Sequence, residues 1–183
     1  TGILTTYQRD IAIQKWCGKH EIRWVEFQMG GVIRALKDRT KWPEKLVTAL
    51  SEPLIDVPLK RLNAFSLPKW EYESIKGRKI PEAWQTSHPR FQPGGTQNGW
   101  RYLMSFMEKR HPQYNNHISK PELSRTSCAR ISPYLTWGNL SNKQVFQLAM
   151  HYKDKTRAKQ ALRSFQSRLL WRDHFIQKFE GEE

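Results

Sequence analysis

The chain has 183 residues, and its 31 Lys and Arg outnumber 17 Asp and Glu for a net charge of +14. The share of apolar and aromatic residues is sufficient for a packed core, which excludes a disordered tail. Two cysteines, Cys17 and Cys128, lie too far apart in sequence for a disulfide framework or a metal spacing, and the six histidines form no paired-ligand pattern. No apolar run approaches the roughly 18–20 residues of a membrane helix, and no signal peptide is visible. A reducing, cytoplasmic setting is the expectation.

The charge is uneven. Residues 1–60 carry 10 basic and 7 acidic side chains, and residues 61–183 carry 21 and 10. An excess of that size in the second stretch favours a polyanionic partner such as nucleic acid.

In chain order, Thr6–Cys17 has helical character and Gly18 follows it. Ile22-Arg23-Trp24-Val25-Glu26-Phe27 is short, aromatic and β-branched, and suits a strand. Gly30-Gly31 breaks it, Val32–Leu36 is apolar again, and Pro43 stands where a first helical turn begins, with Glu44–Leu50 following as a helix. Helix, strand and helix predict that residues 1–56 are the tail of an α/β, Rossmann-like sheet domain. The chain begins at Thr1 without Met, and it reads as a piece of a longer protein.

Six prolines between 53 and 95 exclude long regular elements. Phe65, Trp70, Tyr72, Trp84 and Phe91 are interleaved with them, so residues 57–95 read as a connector packed along a neighbouring domain.

Residues 96–183 read as all-helical, which makes the whole chain α+β. Trp100, Leu103, Met104 and Met107 keep the spacing of one helical face. Ser141 is placed to cap a helix carrying Val145, Phe146, Leu148 and Ala149. From Thr156 onward Ala158, Ala161, Leu162, Phe165, Leu169, Arg172, Ile176 and Phe179 form one stripe. Arg172 interrupts it. A guanidinium at a core-facing position is costly unless something answers its charge. A structural carboxylate, a reach past the stripe to solvent, or an anionic ligand would each do so. Trp171 is turned from Arg172 by about 100°, beside Arg168. A Trp between two arginines suits stacking on a base with phosphates nearby, and equally suits a helix interface. The small and hydroxyl-bearing residues of Ser127–Ser132 lead into a helix start, where backbone N–H groups can cradle phosphate oxygens or simply cap the helix.

Pro93-Gly94-Gly95, Tyr114, the run Cys128–Ser141 with its Ser132-Pro133-Tyr134-Leu135 and Trp137-Gly138, and Arg168–Phe175 with its Trp171-Arg172-Asp173 share the order and spacing of the flavin domain of photolyases and cryptochromes. Thr6–Asp10, Trp24–Glu26 and Gly31–Arg34 are similar to the end of that family's α/β domain. The chain thus resembles the DNA photolyase/cryptochrome family over nearly its whole length.

The resemblance implies a helical domain that binds FAD, with Tyr114 and Cys128, Ala129, Arg130, Ile131 and Ser132 at its phosphate and ribitol portion. Phe165 would lie beside the cofactor and Arg172 close to the flavin. Trp171 would pack on a flipped-out pyrimidine dimer in damaged DNA, with Arg168 at the same contact. The implied activity is that of a deoxyribodipyrimidine photolyase-like carbon–carbon lyase, in which light drives an electron from reduced FAD to the dimer. No catalytic residue is assigned in this span. A monomeric parent with a second, antenna chromophore is compatible with the resemblance, and no membrane or metal partner is implied. A cryptochrome photoreceptor without repair activity is the alternative, followed by a flavin-free basic nucleic-acid-binding module. Two departures stand out. Cys128 and Ala129 replace a Thr-Ser pair, and Arg168 stands where repair enzymes carry a Glu that accepts hydrogen bonds from the lesion.

Overall fold

Helix α10, Lys159–Glu182, is the longest element, and the apolar stripe read from the sequence sets its position. Ala161, Leu162, Phe165 and Leu169 are all buried. They pack against Phe106, Tyr114, Val145 and Phe146 in one continuous core. A computed structural model describes residues 4–28, 30–86 and 88–182. The ends of the first and last expected segments, Thr1–Ile3 and Glu183, lie outside the described residues.

Helix α1, Leu4–Lys19, buries only Cys17. It passes through Gly18 and ends at the next residue; beyond it Glu21 adopts φ +57° and the Ile22 amide reaches the Cys17 carbonyl at 2.9 Å. Residues 22–28 continue as irregular chain. The expected strand and the Rossmann-like sheet tail are therefore corrected: among the described residues there is no strand at all. A strand exists only through a ladder to a neighbour, and this segment has none. Its Ile22, Val25 and Phe27 side chains are exposed, Phe27 at 90%.

Helix α2, Trp42–Ser51, starts as read, with Pro43 in its first turn. It buries Trp42, Leu46 and Leu50 in the same core as the downstream helices, packing on α9 and α10. The segment before it is stitched down by polar side chains. Gln177 of α10 is wholly buried. Its Oε1 accepts from the Ile33 amide at 2.7 Å and its Nε2 donates to the Ile33 carbonyl at 2.9 Å. Trp42 Nε1 donates to the Gly31 carbonyl at 2.8 Å, and Gln147 of α9 donates to the carbonyls of Leu50 and Glu52 at the end of α2.

The connector carries a 3₁₀ turn at Leu59–Arg61 and two short helices, α3 (Lys69–Ile75) and α4 (Glu82–Gln85). Its aromatics are exposed, from 55% at Tyr72 to 86% at Phe65, so the expected packing against a neighbour is not made within this chain. Short proline-bounded elements present too little contiguous apolar face to hold such side chains down.

From Gly95, whose φ of +97° favours glycine, helix α5 (Thr96–Ser105) runs into a π-helical turn at Phe106–Arg110, a 3₁₀ turn at His111–Gln113, and α6 (Tyr114–His117). Helices α7 (Pro121–Ser127), α8 (Ser132–Thr136) and α9 (Asn142–Lys153) complete the helical zone. The expected cap at Ser141 is present as a full capping box with Gln144.

Gly31 lies close against Leu46 of α2. A Cβ there would stand 2.5 Å from Leu46 Cδ1 and 2.8 Å from Leu46 Cα. Backbone cannot retreat as a side chain does, so Gly31→Ala is expected to cost about 1–3 kcal/mol, read as a lower urea midpoint with an unchanged slope.

Candidate functional site: a cavity between α6, the 128–132 loop and α10

Residues widely separated in sequence converge on one cavity of about 520 Å³. Tyr114 enters it from α6. Cys128, Ala129, Arg130, Ile131 and Ser132 form the loop along one side, and Phe165, Arg168, Leu169 and Arg172 form the wall on α10. Nine of the ten site residues expected from the sequence thus share one site. Trp171 is not among the lining residues.

The floor is aromatic. Phe165 lies 4.8 Å from Phe106 and 5.8 Å from Tyr114, the latter pair at 89°. Such edge-on contacts place the positive ring edge against the neighbour's negative face. Tyr114 is carried there by the π turn, which adds a residue to the helical repeat and re-aims the chain beyond it; such turns recur at functional sites. Burial pushes the Tyr114 hydroxyl up to about 12, with Arg168 opposing the shift.

The loop is held from outside. Arg110 donates to the carbonyls of Cys128 and Tyr102 and to Ser105 Oγ, and Gln92 Nε2 donates to the Arg130 carbonyl at 2.7 Å. The amides of Ala129, Arg130 and Ile131, by contrast, have no acceptor among the described residues. Arg130 has φ +57° and Ile131 φ −100°, ψ −1°. Successive residues of opposite hand turn their N–H groups toward a common point and make an anion-binding concavity. Burial also raises the Cys128 thiol, against the pull of Arg110, so it is held as a neutral thiol.

On α10, Arg172 meets a carboxylate: Nη1 donates to Asp173 Oδ1 at 3.2 Å. Of the answers open to its charge, a structural partner is present, and Arg172 still lines the cavity. Asp173 is 2% exposed and also accepts from Asn142 Nδ2 at 2.9 Å. Burial raises the Asp173 carboxyl more than Asn142 and Arg172 lower it. Arg168 stacks over Trp171, 5.5 Å from the ring. Trp171 is half exposed, meets Phe175 edge-on and lies tilted to His174. Trp171 thus packs against neighbours on its own helix and leaves half of its surface exposed.

No group of three or more His, Cys, Asp or Glu that could hold a metal occurs among the described residues, and no helix there is long and apolar enough to cross a membrane. Comparison with protein-family models, curated proteins and solved structures returns no match.

Sequence reasoning missed Arg110, Gln92 and the π turn. Their roles depend on acceptors 18 and 38 positions away, which no local pattern signals.

Two groups at the site should titrate measurably. The phenolate absorbance lost in Tyr114→Phe is expected to titrate near 12, and wild type should lose stability relative to this variant as pH rises from about 10 through 12. Deprotonation in that window is easier in the unfolded chain. Asp173 binds its proton more tightly when folded, so its contribution falls as pH rises from the ordinary carboxylate value through its raised one. Urea midpoints across acidic pH should show that fall in wild type and lose it in Asp173→Asn.

Proposed function

We propose that the chain is a flavin-holding part of a photolyase-type protein, with FAD in the cavity between α6, the 128–132 loop and α10. What supports this reading is that residues named from the family resemblance, scattered from Tyr114 to Arg172, line a single cavity. The chemistry of the lining fits such a group. A cavity of this size lies within the usual range for small-molecule sites, which are mostly apolar with a few convergent polar groups. Here three amides without acceptors suit a diphosphate, and the Phe165 and Leu169 side chains suit a ring system. Arg168 and Arg172 add positive charge on the same wall.

A bound flavin supplies light-driven one-electron transfer. The chain's own residues bind and orient it: the loop amides hold anionic oxygens, Phe165 excludes water from below, and Arg172, steadied by Asp173, places a guanidinium at the wall without drifting to solvent. Trp171, half exposed with Arg168 over one face, offers a stacking surface to a base at the cavity's flank. In this reading the partner is damaged DNA and the reaction is cleavage of pyrimidine dimers.

Arg168 favours a second reading, a cryptochrome-type photoreceptor without repair. A guanidinium has no acceptor, so Arg168 cannot take the hydrogen bonds that a Glu takes from a lesion.

Titrating FAD into the chain and following quenching of its fluorescence tests the shared part. Saturable binding is expected, weakened about tenfold or more by Arg172→Ala; absence of quenching in wild type ends both readings. Trp171→Ala is expected to cost about 1–3 kcal/mol of binding to a dimer-bearing oligonucleotide, measured by fluorescence anisotropy. Light-driven restoration of that oligonucleotide by the flavin-loaded protein separates repair from signalling.

A further inference from the structure

Beside the cavity lies a second feature, of whose arginines the proposed flavin cavity shares only Arg130. Two hollows, of about 420 and 540 Å³, adjoin through Arg125 and Arg130, which line both. Arg101 and Arg110 line the first and Arg90 the second. Five arginines thus face one groove, and no Asp or Glu lines either part. None of the five makes an ion pair among the described residues. Glu108 and Glu122, the nearest acids in sequence, are exposed and outside the lining.

The arrangement is electrostatically unsettled. Arg110 is half-buried and fixed by its hydrogen bonds to Tyr102, Ser105 and Cys128. Burial, and then the charge of Arg130, make its protonated form harder to hold. Like charges brought together without a counter-charge repel, and an anion between them relieves the cost. Every cation is Arg rather than Lys, and the planar guanidinium fork matches phosphate bidentately. Two adjoining hollows ask for more than one anionic group. Phe91, beside Arg90 and 77% exposed, adds an aromatic face to the basic track, the combination that binds single strands without sequence preference.

We infer that this groove holds the phosphodiester backbone of a single-stranded nucleic acid. It needs no bound flavin and is distinct from the Trp171 flank.

Anisotropy of a fluorescein-labelled oligothymidylate, measured against the 183-residue chain over a salt series, tests this. Arg101→Ala and Arg125→Ala remove side chains that donate no hydrogen bond to the described residues and stand outside the flavin-site set. Each is expected to lower the log affinity–log salt slope by about 0.7. Phe91→Ala is expected to weaken binding at least about fivefold with the slope unchanged. Circular dichroism and FAD quenching of the same variants should match wild type, so that loss of this site reads separately from loss of the flavin site. Four results would each overturn the inference: unaltered binding in both Arg variants, an equal slope change in Lys15→Ala/Lys19→Ala on α1, competition by poly-glutamate as strong as by unlabelled oligothymidylate, or binding of inorganic phosphate without the oligonucleotide.

Discussion

The contact of Phe165 with Phe106 and Tyr114 governs the helical zone, because three separate stretches of chain must arrive together to make it. Phe165 comes from the second turn of α10, Phe106 from the start of the π turn, and Tyr114 from the first residue of α6. Aromatic pairs of this kind add about 0.5–1.5 kcal/mol beyond the area they bury. Their larger effect is geometric. With the three rings in place, α10 cannot slide or rotate without opening the core, and the space above the rings becomes the cavity. The buried Ala161 and Leu162 one turn earlier, and Leu169 one turn later, extend the same seam.

Polar side chains complete the fastening. Gln177 treats the Ile33 peptide as a strand neighbour would, answering both its N–H and its carbonyl. The N-terminal part is thus held to α10 by a side-chain amide in place of a sheet. Asp173 and Arg172 show the same economy with charge. Asp173 is buried and Arg172 part-exposed; such a pair contributes little net stability after desolvation, yet removing the arginine strands a buried carboxylate. The pair therefore specifies where the guanidinium sits more than it strengthens the fold, and that position is the cavity wall.

The loop from Cys128 to Ser132 joins fold to proposed function. The carbonyls of Cys128 and Arg130 are occupied by Arg110 and Gln92, the amides of Ala129, Arg130 and Ile131 are not occupied by any described residue, and Arg130 takes a left-handed conformation. The same residue belongs to the cavity on one side and to the arginine groove on the other. Strain of order 1–3 kcal/mol at such a residue persists only where surrounding structure holds it, and the two clamps from Arg110 and Gln92 supply that hold.

Much of the helical zone was legible in the sequence. The α10 stripe, the Ser141 cap and Pro43 in the first turn of α2 are local patterns, and local patterns survive because helix hydrogen bonds span four residues. Phe165 and Arg172 were linked by the α10 stripe, but their grouping with Tyr114 and Cys128–Ser132 was expected only from the family resemblance, since no periodicity joins those separate stretches. Illegible were the features that need a distant partner. Among the described residues, the run Ile22–Phe27 has strand composition but no second strand to pair with, and the connector aromatics have no surface that covers them. The partner of Arg172 stood one residue away at Asp173. Whether a neighbouring carboxylate turns toward an arginine or away from it is decided by burial, which only the packing of α9 and α10 around Asn142 imposes.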